Sequence, residues 1–492
     1  MRVLVALWTA VVGALLFNLA PTAFAQDTLW TRTYGGVDRD VCNCVRQTVD
    51  GGYVLAGLTD DYYGPFDAQY YLVKVDQFGD TLWSRKYGGD SYEEAHCVDV
   101  TSDGGYILAG DTYSYGAGHA DFYLVKTDAL GDTLWTSVHG SPGFDKARSV
   151  QQTTDGGYIV GGWISPEGLN PDVYLVKTDE YGDVVWTRTY GGSANDYGRS
   201  VRQTTDGGYV IAGGTYSFGA GGWDVYLVKT DSSGDTLWTR TYDGDNRDGA
   251  RSVEQTADGG YILAGYANYV FNPPYEHYSD LFLVKTDSNG TAEWSRMFSW
   301  GQEQRGHSVL QSGDGGYVVA GYFIAEMFGA VHFYVMKTDD RGTPMWVRTY
   351  GGDGSGAANS IVESADGGYA AGGGAYSFGA GRGDAYLVRI DESGTPVEER
   401  VFDTPARFSL SQNYPNPFNI RTSMQFHLPQ AASVLLEVYN VLGERVVTLM
   451  NERQQPGFKS LSWDASDVSS GLYFYKLTAG DFTETKRMML VK

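Results

Sequence analysis

The chain contains few of the residues that build metal centres and disulfide frameworks. Among 492 residues there are 3 cysteines and 7 histidines. The cysteines, Cys42, Cys44 and Cys97, form no Cys-x-x-Cys pair, and an odd number in an exported chain leaves at least one thiol unpaired. The histidines are scattered without the spacing that metal ligands need. We therefore expect no metal site and no cofactor.

Basic residues are also scarce. Lysine and arginine number 36 against 60 aspartates and glutamates, which gives a formal net charge of −24 and a pI near 4.6. A surface of this sign repels phosphate backbones and anionic lipids. We expect a soluble protein, monomeric in solution, that has no nucleic-acid partner.

Long apolar runs are confined to the N-terminus. Arg2 is the only charged residue before an apolar run over residues 3–19, and Ala23-Phe24-Ala25 follows as a small-x-small sequence. This pattern is typical of a secretory signal peptide over residues 1–25 that is cleaved after Ala25, with a retained anchor as the alternative. No other stretch approaches the roughly 20 apolar residues of a spanning helix, so we expect no transmembrane segment in the mature chain.

The sequence also has no helical apolar stripe of useful length, whereas glycine and tyrosine are abundant, with 66 and 37 residues. The tetrapeptide Asp-Gly-Gly-Tyr recurs seven times, beginning at Asp50, Asp103, Asp155, Asp206, Asp258, Asp314 and Asp366. A sequence related to residues 226–231 keeps the same phase in every copy. Each unit has the composition of four short strands joined by tight turns, which is typical of a β-propeller blade, since β-solenoid repeats are usually shorter.

These patterns predict an all-β protein. We expect a seven-bladed β-propeller over residues 26–402, a linker over residues 403–407, and a small immunoglobulin-like β-sandwich over residues 408–492. The first candidate for an outermost strand, residues 27–34, precedes the first repeat, and the last has Glu398 at its tryptophan position. We expect the N-terminal strand to complete the seventh blade and close the ring, because an open ring would expose strand edges.

One tryptophan marks each outermost strand: Trp30, Trp83, Trp135, Trp186, Trp238, Trp294 and Trp346. We expect these rings to pack between adjacent blades. Residues 231–238 resemble the tryptophan-docking motif of quinoprotein propellers, one residue shorter, and the blades are similar to quinoprotein-like and Kelch-like blades. The resemblance implies the propeller fold but no quinone, because Asn43 separates the two cysteines where quinoprotein dehydrogenases have a vicinal disulfide.

Cys44 and Cys97 share one phase with serines of the other five repeats. We expect this position to require a small buried side chain. The two sulfurs lie in neighbouring blades, and a disulfide between them is left open.

The C-terminal region differs in composition from the repeats. Residues 414–419 read Tyr-Pro-Asn-Pro-Phe-Asn, residues 470–475 read Ser-Gly-Leu-Tyr-Phe-Tyr, and the chain ends in Lys-Arg-Met-Met-Leu-Val-Lys. These motifs closely resemble the type A C-terminal sorting domain of the type IX secretion system. An immunoglobulin-like structural domain without a sorting role is the alternative.

The resemblance implies export through the periplasm to the outer cell surface or the medium, with the secretion machinery as partner. The sorting residues that it implies are Lys486, Arg487, Met488, Leu490 and Lys492. Ile420 stands where the family commonly has a second Asn-Pro proline, and we expect a local change of the loop there.

The loops at one face of the propeller vary between repeats, whereas the turns at the other face are nearly identical. Variable loops on a rigid scaffold commonly carry binding residues. Our candidates for contacts with a glycan or protein ligand are Tyr62, Tyr63, Trp163, Tyr216, Trp223, Tyr269, Tyr275, Tyr278 and Phe328. The alternative is that these aromatic residues only cover the blade ends.

A second candidate is a polar ring at the channel mouth. In one phase of the innermost strands stand Asn43, His96, Arg148, Arg199, Arg251, His307 and Asn359, three residues after an acidic residue in five of the blades. The pattern favours either an ion-binding ring, carried by His96, Arg148, Arg199, Arg251 and His307, or ion pairs within and between blades. Carboxylates spread around a ring do not supply the six to eight oxygens that Ca²⁺ takes at one point.

The sequence contains no Gly-x-Ser-x-Gly elbow and no phosphate-binding loop, and nearly all carboxylates recur with the repeat. We therefore expect an exported binding scaffold rather than an enzyme. A polysaccharide hydrolase or lyase, with one asymmetric cluster on the variable face, and a purely structural exoprotein are the alternatives.

Overall fold

The computed structural model describes most of the chain. The described residues are 28–36, 39–60, 68–166, 169–219, 222–242, 247–272, 276–300, 302–324, 330–350, 356–376, 383–392, 408–410, 413, 416–428, 430–454 and 457–492. The expected signal peptide with its cleavage site at Ala25 and the expected linker lie outside them. Within these ranges no helix is long and apolar enough to span a membrane.

Seven four-stranded antiparallel units follow one another along the chain, and we name their strands A to D from the channel outwards. After β1 (Thr28–Tyr34), blade one contains β2 (Arg39–Gln47), β3 (Tyr53–Asp60), β4 (Ala68–Val75) and β5 (Thr81–Tyr87). Blade two contains β6 (Glu93–Val100), β7 (Tyr106–Thr112), β8 (Asp121–Thr127) and β9 (Thr133–His139). Blade three contains β10 (Phe144–Gln152), β11 (Tyr158–Ser165), β12 (Asp172–Thr178) and β13 (Val184–Tyr190).

The remaining blades repeat this order. Blade four contains β14 (Asp196–Gln203), β15 (Tyr209–Thr215), β16 (Asp224–Thr230) and β17 (Thr236–Tyr242). Blade five contains β18 (Arg247–Gln255), β19 (Tyr261–Asn272), β20 (Glu276–Thr286) and β21 (Ala292–Phe298), and blade six contains β22 (Glu303–Gln311), β23 (Tyr317–Ile324), β24 (Val331–Thr338) and β25 (Pro344–Tyr350). A single parallel bridge between Ser279 and Glu303 links these two blades.

Blade seven joins the two ends of the propeller. Its three inner strands are β26 (Gly356–Glu363), β27 (Tyr369–Ala375) and β28 (Asp384–Ile390), and β1 pairs antiparallel with β28 as the outermost strand. The expected closure of the ring by the N-terminal strand is therefore what the structure has. The all-β, seven-bladed propeller predicted from the repeat is confirmed.

The tight A–B turns are formed by the repeated Asp-Gly-Gly sequence. In blade four Gly207 has φ of 82°, a conformation that glycine adopts without steric cost. A side chain on Gly208 would begin 2.1 Å from the carbonyl oxygen of Thr230 on the neighbouring strand. Asp206 accepts hydrogen bonds from the Thr204 hydroxyl and, at 3.0 Å, from the amide of Gly208. Each residue of the motif thus has a separate structural requirement.

A buried ion pair ties this turn to strand C in every blade. Lys229 Nζ lies 2.8 Å from Asp206, and the lysine side chain is only 3% exposed. The equivalent pairs are Lys74–Asp50, Lys126–Asp103, Lys177–Asp155, Lys285–Asp258, Lys337–Asp314 and Arg389–Asp366. Partial burial opposes ionisation of Asp206, but hydrogen bonds from Lys229 and Thr204 outweigh it and lower its pKa to about 2.

The outer tryptophans connect each blade to the next. The ring of Trp186 in blade three lies 5.7 Å from that of Tyr209 in blade four, in an edge-to-face arrangement. Gly234 leaves the room for it, because a Cβ there would approach the indole to 2.8 Å. The other six junctions repeat the contact as Trp30–Tyr53, Trp83–Tyr106, Trp135–Tyr158, Trp238–Tyr261, Trp294–Tyr317 and Trp346–Tyr369. The expected packing of tryptophan between blades is confirmed.

The small residues of strand A bridge neighbouring blades near the channel. Ser200 Oγ accepts a hydrogen bond of 3.3 Å from the amide of Val253 in the next blade. Cys44 and Cys97 occupy this position in blades one and two, where both are buried free thiols whose sulfurs lie 3.7 Å apart. The structure therefore has two contacting thiols at the place where the sequence leaves a disulfide open.

The C-terminal domain is a two-sheet sandwich. One sheet contains β29 (Ser409–Leu410), β30 (Arg421–Leu428) and β33 (Gly457–Asp464), and the other contains β31 (Ala432–Asn440), β32 (Arg445–Gln454), β34 (Gly471–Ala479) and β35 (Phe482–Leu490). The residues of the implied sorting motif alternate along the last strand. Met488 and Leu490 are buried in the core, Lys486 is half-buried, and Arg487 and Lys492 are exposed.

Ile420, where the sorting family commonly has a proline, lies in the loop before β30. It adopts φ of 66°, in the left-handed region, and its side chain is 43% exposed. A β-branched residue in this conformation costs about 1 kcal/mol or more because its Cβ approaches the backbone. The carbonyl of Ile420 accepts a hydrogen bond of 2.6 Å from the amide of Ala465, which holds the strained residue in place.

Removal of β1 tests the closure of the ring. Deleting residues 28–34 takes the outermost strand and Trp30 from blade seven and exposes the edge of β28. We expect the melting temperature, measured by differential scanning calorimetry, to fall by about 10 °C or more, since several kcal/mol of packing are lost. An unchanged melting temperature would contradict closure by this strand.

Asp206→Asn tests the buried ion pair, with Asp235→Asn as the matched control. Asp235 pairs with Arg188 at 3.4 Å, and this arginine is 39% exposed whereas Lys229 is 3% exposed. We expect Asp206→Asn to destabilise the protein by about 1–2 kcal/mol, because the buried Lys229 ammonium loses a half-exposed carboxylate but keeps its hydrogen bond to the Thr230 carbonyl. We expect the control to cost less than about 0.5 kcal/mol.

The same variant has a pH signature. Because the pKa of Asp206 is lowered in the folded protein, its ion pair stabilises the fold above the unfolded pKa and loses this effect as pH falls towards about 2. The difference in melting temperature between wild type and Asp206→Asn should therefore shrink from about pH 4 to about pH 2. A difference that does not depend on pH would contradict the assignment.

Candidate binding site at the channel mouth

Every innermost strand contains a β-bulge at the same position. In β14 the register shifts between Gly198 and Ser200, which leaves Arg199 as the extra residue. The other six innermost strands shift at the equivalent place. A bulge re-aims the side chain of its extra residue. We call these seven residues the bulge ring: Asn43, His96, Arg148, Arg199, Arg251, His307 and Asn359.

Members of the bulge ring contact one another from blade to blade. Asn359 Oδ1 lies 3.0 Å from His307 Nδ1, and Asn359 Nδ2 lies 3.4 Å from Asn43 Oδ1. Arg148 Nη1 lies 2.9 Å from His96 Nδ1. The structure therefore brings the sequence-predicted polar ring together around the channel, in the half of the strands nearest the variable loops.

The ion pairs expected within the Asp-x-x-Arg sequences do not form among the described residues. Asp196 Oδ2 instead accepts hydrogen bonds from the Gly192 amide at 2.8 Å and the Ser217 hydroxyl at 2.7 Å. Asp145 likewise accepts one of 2.8 Å from the Ser165 amide. These buried carboxylates fix the D–A and B–C loops, and Asp145 and Asp196 form no ion pair with Arg148 or Arg199.

Blade two contributes a buried carboxylate to the mouth. Asp111 Oδ2 lies 3.0 Å from Lys146 Nζ and 3.1 Å from His96 Nε2. Burial opposes ionisation of Asp111, but the charges of His96, Arg148 and Lys146 outweigh it and hold the pKa of this carboxyl below its usual value. Arg148 forms no hydrogen bond with this carboxylate but contacts the imidazole of His96.

Three arginines of the bulge ring lie in the consecutive blades three, four and five. No described residue forms an ion pair or a side-chain hydrogen bond with Arg199, and Arg251 lies 5.9 Å from the ring of Tyr266. Burial, followed by the charges of Arg251 and Arg148, lowers the pKa of Arg199 to about 9. Burial and the charge of Arg251 also lower the pKa of His307, to about 3, which keeps this imidazole neutral at physiological pH.

An aromatic cluster stands beside these arginines on blades three and four. The ring centroids of Trp163 and Tyr197 lie 5.1 Å apart. The ring centroid of Trp223 lies 5.3 Å from that of Tyr197 and 4.7 Å from that of Tyr216. Trp163 and Tyr197 are half-buried and Tyr216 is 42% exposed. Three of the sequence-predicted aromatic residues are therefore together, joined by Tyr197.

Trp223 has a supporting position rather than the exposed one expected. It is only 8% exposed, and it fills the space that Gly214 leaves open, since a Cβ on that glycine would lie 2.3 Å from the indole. Trp223 therefore holds Tyr197 and Tyr216 in place and presents little surface of its own to a ligand.

Blades five and six supply a second group of aromatic residues with a cation. The guanidinium of Arg305 lies 4.6 Å from the ring of Tyr266 and 5.0 Å from that of Tyr269. Its charge is paired with Glu303 at 2.8 Å, and the same carboxylate accepts a hydrogen bond of 2.6 Å from Tyr322. Tyr269, a sequence-predicted residue, thus lies with partners that the sequence did not single out.

Several residues of the mouth that the sequence did not single out occupy the same position of the repeat. Five positions after the repeated tyrosine, strand B or its end carries a different residue in almost every blade: Leu58, Asp111, Trp163, Gly214, Tyr266, Tyr322 and Gly374. A comparison of the repeats for positions that vary inside otherwise similar strands would have found Asp111, Tyr266 and Tyr322.

Four of the predicted aromatic residues, Tyr62, Tyr63, Tyr275 and Phe328, lie outside the described residues. Tyr278 lies in β20, but its side chain is also outside the part of the chain that the structure describes. These candidates stay predictions.

Comparisons with known proteins bear on both parts of the chain. Residues 412–492 match the family described as the secretion system C-terminal sorting domain. No curated protein sequence matches the chain. Among solved structures the chain is similar to PorZ, an essential bacterial surface component of the type-IX secretion system of Porphyromonas gingivalis. The identity is 10% over 93% of this chain and only 60% of PorZ, with a TM-score of 0.40.

Two further solved structures resemble the chain. They are the β-propeller domain of the Trilobed protease from Pyrococcus furiosus (10% identity, 76% of this chain and 98% of that one, TM-score 0.37) and a fungal alcohol oxidase of the AA5 family in complex with copper (12% identity, 95% and 100%, TM-score 0.46). Because all three TM-scores are below 0.5, we draw no functional argument from these likenesses.

The sorting family explains the C-terminal sandwich, and its presence implies interaction with the secretion machinery. The described strands account for the rest of the chain as seven blades around a channel. The protein is therefore an exported seven-bladed β-propeller with a type IX secretion C-terminal sorting domain, directed to the cell surface or the extracellular space.

Proposed function

We propose that this protein is a binding scaffold outside the cell, and that its ligand is a glycan held at the channel mouth on the variable face. One observation carries the proposal. The blades repeat the same turns, ion pairs and tryptophan contacts, whereas the bulge ring and the varying strand B positions do not repeat. Binding sites are commonly formed by residues that the framework does not need and that lie together at one end of a rigid scaffold.

The chemistry of the mouth supports recognition of sugar rings. Trp163 and Tyr197 are half-buried, so each ring is held by its neighbours while part of its surface remains accessible. Aromatic faces pack against the apolar faces of sugars, and polar groups nearby supply direction. Tyr266 and Arg305 offer the same combination on the neighbouring blades five and six.

The carboxylates at the mouth favour binding over hydrolysis. Asp111 is paired with Lys146, and Glu303 with Arg305. Glu94 accepts hydrogen bonds from the Tyr92 hydroxyl at 2.8 Å and the Asn43 amide at 2.9 Å. A glycosidase needs one carboxyl that can donate a proton and a second that can attack or activate water. All three carboxylates are instead engaged by other side chains.

The remaining parts of the proposal concern the mature form. We propose that it begins at Gln26 after removal of the signal peptide, that residues 403–407 link the propeller to the sorting domain, and that the propeller binds its ligand as a monomer. A protein ligand is the second candidate, because the same aromatic residues could anchor one.

A glycan and secretome binding screen of the chain from Gln26 to Lys492 tests the proposal. Trp163→Ala and Tyr197→Ala should each weaken binding of any true ligand by about tenfold or more, because each removes an aromatic contact surface. Tyr181→Ala is the matched control, since Tyr181 is 69% exposed in the turn between β12 and β13, at the opposite face.

Melting temperatures of the three variants check that folding is retained. Equal affinity of wild type, Trp163→Ala and Tyr197→Ala for every ligand found would remove the mouth as the binding site. Release of new reducing or unsaturated ends from a bound polysaccharide would instead favour the hydrolase or lyase alternative.

A further inference from the structure

None of the three arginines of blades three to five forms an ion pair or a hydrogen bond with a carboxylate among the described residues, although the charge of Arg148 acts on the buried Asp111. Arg148 contacts the imidazole of His96, Arg251 lies over the ring of Tyr266, and Arg199 has neither kind of contact. The other cations of the mouth differ, because Lys146 and Arg305 each have a carboxylate at 3.0 Å and 2.8 Å. The unbalanced positive charge is therefore confined to one arc of the bulge ring.

The nearby acids cannot supply the missing charge. Asp145 and Asp196 lie three residues before Arg148 and Arg199, but they accept the loop hydrogen bonds described above. Releasing them would leave backbone amides of those loops without partners, which costs about 1–3 kcal/mol for each group. These carboxylates therefore stabilise the loops and do not neutralise the arginines.

Unpaired guanidinium groups at partly buried positions are costly for the fold. Removing a charge from water without a counter-ion costs several kcal/mol, and like charges side by side add to this cost. The nitrogen Nε of Arg148 is buried and has no hydrogen-bond partner. Buried charged groups that have no stabilising partner within the fold are typical of sites where a ligand supplies that partner.

We propose that the arc of Arg148, Arg199 and Arg251 binds the acidic group of a saccharide, a carboxylate or a sulfate, whose sugar ring packs on Trp163 and Tyr197. This inference rests on the proposed function and specifies the ligand class for the same site. The guanidinium fork matches the two oxygens of a carboxylate or sulfate in a bidentate geometry. Tyr197 lies two residues before Arg199 in β14, so the anion site and the aromatic surface are adjacent on one strand.

The net negative charge of the protein makes anion binding depend on this arginine cluster. A protein with a net charge of −24 repels anions over most of its surface. An anion can therefore bind only where several cations lie together. Loss of one arginine from this cluster should lower the affinity for the anion strongly.

The probes are trigalacturonate, its fully methyl-esterified form and inorganic sulfate, with the chain from Gln26 to Lys492. The two sugars differ only at the carboxyl groups, which carry a negative charge in the acid and are neutral methyl esters in the other form. The variants are Arg199→Gln and Arg251→Gln. The control is Arg188→Gln, an arginine over Trp186 in the outer strand of blade three whose side chain is 39% exposed.

We expect titration calorimetry to give an affinity for trigalacturonate at least about tenfold higher than for its methyl ester. Arg199→Gln and Arg251→Gln should each reduce the trigalacturonate affinity by about tenfold or more, and Arg188→Gln should leave it unchanged. Without ligand, Arg199→Gln should raise the melting temperature, because it removes repulsion that the fold otherwise carries. Sulfate should raise the melting temperature of wild type more than that of Arg199→Gln.

The outcomes separate the two proposals. Equal affinity for acid and ester, unchanged by the arginine variants, would overturn the acidic ligand and leave glycan binding standing. Binding of an oligoglutamate peptide but not of trigalacturonate, with the same arginine dependence, would overturn the saccharide and with it the proposed function. If neither sulfate nor trigalacturonate shifts the melting temperature, and Arg199→Gln lowers it, the three arginines are structural and the inference is wrong.

Discussion

The contact between an outer tryptophan and the next blade is the interaction on which the propeller depends. Each blade is a sheet of its own, and only a few backbone contacts join neighbouring blades, such as the bridge between Ser279 and Glu303 and the hydrogen bond from the Asp145 amide to the Ala120 carbonyl. Side chains at the blade junctions supply the other contacts. Trp186 packs on Tyr209 and over Gly234, and the same three residue types meet at five other junctions of the described residues. The period of about 52 residues exists because each copy must supply both halves of this contact.

The division between framework and site follows from that repetition. The Asp-Gly-Gly turn, the buried lysine and the tryptophan occupy the face with the identical turns and the outer strands, where substitution would disturb a junction. The bulge ring lies at the other end of the innermost strands, around the channel, and five of its seven residues contact one another. There the side chains vary without cost to the junctions, so an asymmetric group of arginines and aromatic residues has accumulated on a symmetric scaffold.

Much of this arrangement could be predicted from the sequence because it is periodic. The repeat predicted seven blades, the tryptophan packing and the polar ring, and the structure has all three. The bulges could not be predicted, because one extra residue in each strand A leaves the repeat period unchanged. The sequence left open whether the acidic residues pair with the arginines, since spacing cannot show that loop groups such as the Gly192 amide bind the Asp196 carboxylate. Trp223 was expected to be exposed, because the sequence does not show that Gly214, on another strand, leaves a space that the indole fills.

The central claim is that the framework leaves one anion site at the channel mouth, and anomalous diffraction locates it most directly. Crystals of the chain from Gln26 to Lys492, soaked in selenate as a sulfate analogue, would be measured at the selenium edge. The account predicts the strongest anomalous peak within hydrogen-bonding distance of Arg199 and of Arg148 or Arg251. Strong peaks at the outer strands with none at the bulge ring would contradict it.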